Sequence, residues 1–126
     1  PNVHARLLAG RNFTAVDYLS AREACDAFRV SIDLALHGLD ALLLPTVPIL
    51  APALGQAEVD INGTAVPVRS AMLRNTQLFN MTGHPAITLP MRMPEGSLAA
   101  GVQLVGPLDR TATLLAIAAS CEKIVA

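Results

Sequence analysis

Tryptophan is absent from the 126 residues, and the aromatic share is only 3%, carried by Phe13, Tyr18, Phe28 and Phe79. A core must therefore be built from Ala, Leu, Val, Ile and Met, which favours helices packed closely against a sheet. Charge is scarce as well, at 15% against the usual quarter, with a formal net charge of −1. Eight arginines are scattered, Lys123 is the only lysine, and no basic stripe or block forms. That pattern excludes a nucleic-acid partner. Cys25 and Cys121 lie far apart and lack the spacing of a metal clip, so they are expected to be reduced core thiols of a cytoplasmic protein. No apolar run reaches the roughly 20 residues that span a bilayer, and the first residues lack a basic region followed by an apolar stretch. A soluble chain without a membrane partner is expected.

What is abundant is apolar side chain, at 52% of residues. That excess requires either an unusually large core or a partner surface. Asn2 to Ala9 has Val3, Leu7 and Leu8 at helical spacing before Gly10, so a short helix is expected. Thr14-Ala-Val-Asp17 has capping-box spacing and opens a long amphipathic helix running to Gly38. Asp40 to Leu44, stopped by Pro45, reads as a strand buried on both faces. Residues 45–57 contain Pro45, Pro48, Pro52 and Gly55 and are expected to form an ordered loop lying on the body. Asn62-Gly63 between Glu58–Ile61 and Thr64–Val66 predicts a tight hairpin. A helix from Val68 to Thr82 should stop at Gly83. Strands 86–91 and 100–105 should pair antiparallel across the Pro94–Ser97 turn. Asp109 is a candidate N-cap for a last helix so apolar that burial on more than one side is expected. The pattern is α/β, with layered helices around a β-sheet.

Four stretches in order resemble the C-terminal half of the amidase-signature family. They are Asp40-Ala-Leu-Leu-Leu-Pro-Thr-Val-Pro48 with Ala51-Pro52, then Phe79-Asn-Met-Thr-Gly-His-Pro-Ala86, Ile87-Thr-Leu-Pro90 and Gly101-Val-Gln-Leu-Val-Gly106. Val3 to Gly10 and Tyr18-Leu-Ser-Ala21 are similar to the family's preceding helices, so the likeness runs along nearly the whole chain. It implies a mixed sheet and a single unit, residues 1–126, forming the C-terminal portion of the domain without its N-terminal catalytic portion. Most of the motif residues also have structural duties. Gly83 and Pro85 end a helix, and Gly101 and Gly106 bracket a strand, while Gln103 and Thr88 either face water or bond inside the core.

The resemblance implies catalysis by a serine, a second serine in a cis peptide and a lysine, all upstream of this region. Here Ser20, Ser31, Ser70, Ser97 and Ser120 are isolated, and Lys123 sits at a helix end, where the helix dipole favours a cation. No carboxylate pair, metal cluster or Cys–His set replaces them, so no catalytic residue, metal or cofactor is expected. His84 has no acidic neighbour in sequence to orient it, and His4 and His37 stand alone. The resemblance leaves this portion the wall of an acyl pocket. Arg6 is similar in position to an arginine that holds a substrate carboxylate in some members, and Thr46 and Asn80 are polar residues in apolar surroundings. Each has an ordinary structural reading: a surface salt bridge for Arg6, and turn bracing for Thr46 and Asn80. No acid lies between Val66 and Met93, where amidotransferase members hold the amino group of glutamine. The expected function is therefore that of a C-terminal portion of an amidase, which cleaves a small-molecule amide to carboxylate and ammonia. A stand-alone assembly module or one half of a split amidase are the alternatives. Uncovered apolar faces and strand edges make a homo-oligomer expected.

Overall fold

The computed structural model describes residues 2–125, with side chains from Val3 to Val125. Helix α1 (Asn2–Ala9) and a 3-10 turn (Gly10–Asn12) lead into helix α2 (Ala15–Leu36). The capping box is formed: Thr14 Oγ1 accepts from the Asp17 amide at 3.2 Å, and Asp17 Oδ2 accepts from the Thr14 amide at 2.8 Å. These bonds hold the Asp17 carboxyl below its ordinary range, the Thr14 amide contributing most.

Strand β1 (Leu42–Pro45) is followed by β2 (Glu58–Ile61) and β3 (Thr64–Pro67), which form a separate antiparallel hairpin. Its turn has φ of 54° at Asn62 and 80° at Gly63, the paired positive values the Asn-Gly signal demands. Helix α3 (Val68–Thr82) ends where Gly83 takes φ 80° and donates its amide to Phe79 O at 2.8 Å. Strands β4 (Ala86–Pro90) and β5 (Gly101–Val105) follow, and helix α4 (Thr111–Val125) closes the chain.

The main sheet has the order β1-β5-β4, with β5 in the centre and both ladders antiparallel. The α/β layering is as expected, and among the described residues the sheet is antiparallel. Side chains alternate across it, so Val102 and Leu104 face α4 with Ile87 and Leu89, while Gly101, Gln103 and Val105 face the opposite side with Thr88. The core is Leu89, Leu104, Leu114 and Ala118. Gly106 lets α4 approach, since a Cβ there would meet Leu114 Cβ at 3.3 Å.

Three expectations are corrected. β1 is not buried on both faces but is an edge strand, and Leu43 is 65% exposed because α4 lies over β4 and β5 and leaves β1 uncovered. Asp109 is not the N-cap of α4. It takes φ 59° inside a turn closed by the Arg110 amide on Pro107 O at 3.2 Å, and it is the Arg110 carbonyl that receives the Leu114 amide. Helix α4 is buried on one side only: Leu114 and Ala118 are enclosed, whereas Leu115 and Ile124 face outward because no second layer covers them among the described residues.

Candidate functional site

Proline spacing keeps residues 46–51 out of regular structure, and three anchors fix how this loop leaves the sheet. The Thr46 amide donates to Gly101 O at 3.0 Å, Thr46 Oγ1 donates to Thr88 Oγ1 at 3.3 Å, and Asn75 Nδ2 on α3 donates to Pro45 O at 2.9 Å. These anchors fix the loop beside the sheet and α3, and a cleft of about 600 Å³ opens among the loop, the β4–β5 end and Met72 of α3. Met72, Val47, Ile49 and Leu50 supply apolar wall, and Thr46, Thr88 and Gly101 supply the polar corner. Gly101 is required at that corner: a Cβ would lie 2.9 Å from Thr88 Cγ2 and 3.1 Å from Thr46 Oγ1. No charged side chain lines the cleft. It can enclose an uncharged, largely apolar group and offer it two hydroxyls, and it lacks the ion-pairing groups a free amino acid needs.

Of the candidate residues, Thr46 lines the cleft. Arg6 does not; it lies in a shallow surface groove with Val3 and Leu7 on α1. Asn80 is exposed near the end of α3 and is not among the residues lining the cleft. Met72, Thr88 and Gly101 had sequence signals that pointed to architecture: a helix repeat, a polar position in a strand and a bracketing glycine. The pairing of β1 and β4 with β5, together with the placement of α3, brings them to one cleft.

A second polar cluster lies at the junction of α2, α3 and β4. The sequence offers His84 no acidic neighbour, but the fold supplies one: His84 Nε2 is 3.1 Å from Asp33 Oδ1 on α2. His84 Nδ1 is 2.9 Å from Thr82 Oγ1, and Arg29 Nε donates to Thr82 O at 2.8 Å. A carboxylate only accepts, so Nε2 is the donor to Asp33, while Nδ1 shares a hydrogen bond with the Thr82 hydroxyl. His84 is buried, so it reaches no substrate and works as a clasp between segments. His4 and His37 are exposed.

Nothing among the described residues assembles a nucleophile. The Ser31 and Ser120 hydroxyls donate to carbonyls one turn back, at Ala27 and Ala116, and Lys123 is exposed near the end of α4. No group of three His, Cys, Asp or Glu side chains gathers to hold a metal among the described residues, and Cys25 and Cys121 are free and half-buried. No helix there is long and apolar enough to cross a membrane.

Comparison with known proteins agrees with this architecture. A crystal structure of an amidase superposes on the whole chain with a TM-score of 0.90 and 36% identity, over 29% of its own length. The 2-amino-5-chloromuconic acid deaminase of Comamonas testosteroni is 29% identical over 99% of this chain, and the indoleacetamide hydrolase of Agrobacterium vitis is 31% identical over 97% of it. The chain spans 27% of the length of each of these two relatives. The amidase family model matches residues 1–115, from the first helix into the last. With that match running through the loop, cleft and sheet just described, the chain belongs to the amidase family.

Proposed function

We propose that this chain is the C-terminal portion of an amidase and supplies one wall of the pocket for the acyl group of a small, uncharged carboxamide. The uncharged cleft around the Thr46–Thr88 pair carries this reading. An apolar acyl group fits against Met72, Val47, Ile49 and Leu50, and the paired hydroxyls offer a donor and an acceptor to a polar atom at the corner. Arg6 and Asn80 stay candidates for contacts made only when the rest of an amidase domain is present, since neither touches the cleft here. Bond cleavage needs a nucleophile, a base and an oxyanion hole, which this reading assigns to a portion of the domain that the chain does not span. This wall suits glutamine poorly, because no charged residue lines the cleft to hold an amino or carboxylate group.

Self-association belongs to the same reading, because apolar side chains stay exposed on α1, α2 and α4. The test is an NMR titration of the chain with hexanamide, phenylacetamide and glutamine. Saturable shifts confined to the amides of Thr46, Thr88 and Gly101 with the first two, and absent with glutamine, are expected. Equal shifts with glutamine, or none with any ligand, would refute the pocket assignment.

A further inference from the structure

Strand β5 sets a glutamine in the middle of the main sheet. Gln103 is only 3% exposed, and its Nε2 meets no hydrogen-bond acceptor among the described residues. Across the two ladders Gln103 stands opposite Leu44 on β1 and Thr88 on β4. Leu44 has no polar atom in its side chain, but Thr88 has. Directly opposed residues hold their Cβ atoms roughly 5 Å apart, so a rotation within the glutamine side chain brings its amide to the Thr88 hydroxyl. Thr88 itself lines the cleft, and one step along the same face Thr46 reaches it across Gly101. The buried amide therefore stands directly behind the cleft's polar corner.

The chemistry of that corner limits what the Thr88 hydroxyl can do. A threonine oxygen has two lone pairs and one proton. Thr46 Oγ1 donates to Thr88 Oγ1 and occupies one lone pair. A donor from Gln103 occupies the second, and the Thr88 proton can then point only outward, into the cleft. An acceptor arriving there draws on that proton and makes the Thr88 oxygen a stronger acceptor in turn, so the outer and inner bonds reinforce each other. An unpaired donor in the interior is unfavourable, which gives the inner bond a driving force of its own.

We infer that Gln103 is a positioning residue for the cleft: its Nε2 closes on Thr88 Oγ1 when a ligand binds and fixes the Thr88 hydroxyl as a donor, so this corner recognises an uncharged acceptor oxygen, the carbonyl of an amide or a ketone. The Thr46 oxygen is left to accept from an amide NH2. The inference rests on the cleft being an acyl-pocket wall and adds which atom of the ligand stands at its corner.

Hexanamide and 2-heptanone test it by NMR on the 126-residue chain, because they share shape and carbonyl and differ only in the NH2 group. Both should shift the backbone amides of Thr46, Thr88 and Gly101, and both should move the side-chain NH2 resonances of buried Gln103. Gln103→Met should weaken both ligands about fivefold, the worth of one hydrogen bond, while raising the denaturation midpoint. A merely structural glutamine would lower binding and stability together. With Thr88→Val the Gln103 resonances should no longer respond. Backbone shifts with a silent Gln103 side chain, the outcome if a buried water held Nε2 throughout, overturn the inference and leave the cleft standing. So do a Gln103→Met chain that binds as tightly as the parent and binding of hexanamide without 2-heptanone. No shift anywhere with either ligand removes the pocket wall and this inference with it.

Discussion

His84 Nε2 lies 3.1 Å from Asp33 Oδ1, a bond between a buried ring just before β4 and a half-exposed carboxylate on α2, 51 residues earlier. With the Arg29–Thr82 bond it ties the long helix to the α3–β4 corner. The two partners should not be equally costly to lose. His84→Ala removes a buried ring and leaves the Thr82 hydroxyl without its partner, at about 3 kcal/mol. Asp33→Ala lets water replace a carboxylate that is already half in solvent, at about 1 kcal/mol. Urea denaturation of the two variants checks the order, and equal losses would contradict the clasp.

The capping box predicts an acid sensitivity. The Asp17 carboxyl is held below its ordinary 3.8 in the folded chain, so its contribution is complete above that value and is lost as pH falls through the lower, folded one. Helix content followed by circular dichroism should show fraying of α2 in that acidic window. Asp17→Asn should remove this component and leave the rest of the acid transition in place.

At the cleft corner, Gly101→Ala must push the Thr46 and Thr88 side chains apart. It should cost about 1–3 kcal/mol in thermal or chemical denaturation. The same change should weaken the amide-induced shifts at Thr46 and Thr88. A variant as stable as the parent would show that the corner is looser than these distances imply.

Gln103 is buried, and its Nε2 has no hydrogen-bond partner among the described residues. Leaving a buried donor unpaired is unfavourable, so the near-isosteric Gln103→Met should stabilise the chain by about 1 kcal/mol. A destabilised variant would mean that the amide holds a partner essential to the fold.

Much of this architecture is legible in the sequence because its determinants are local. The Thr14–Asp17 box, the Asn62–Gly63 turn and the Gly83 cap each depend on neighbours a few residues away, and each forms where expected. Features that depend on what lies above a segment were not legible. An apolar run such as Leu42–Leu44 reads alike in a central and an edge strand, and the apolar surface of α4 says nothing of how many layers cover it. The site divides in the same way. Thr46 stands out as a polar residue in a proline-rich turn, but its neighbours Met72, Thr88 and Gly101 join it only through strand order and the placement of α3. Asp33 and His84 are separated by too much chain for any motif to link them.

The most direct test follows a single sample of the chain with hexanamide by NMR, reading protein shifts and ligand integrity together over a day. The account predicts saturable shifts at Thr46, Thr88 and Gly101 with the amide intact, as suits a pocket wall without a nucleophile. Absence of those shifts, or conversion of the amide to its acid that stops when one of the chain's serines is replaced, would contradict it.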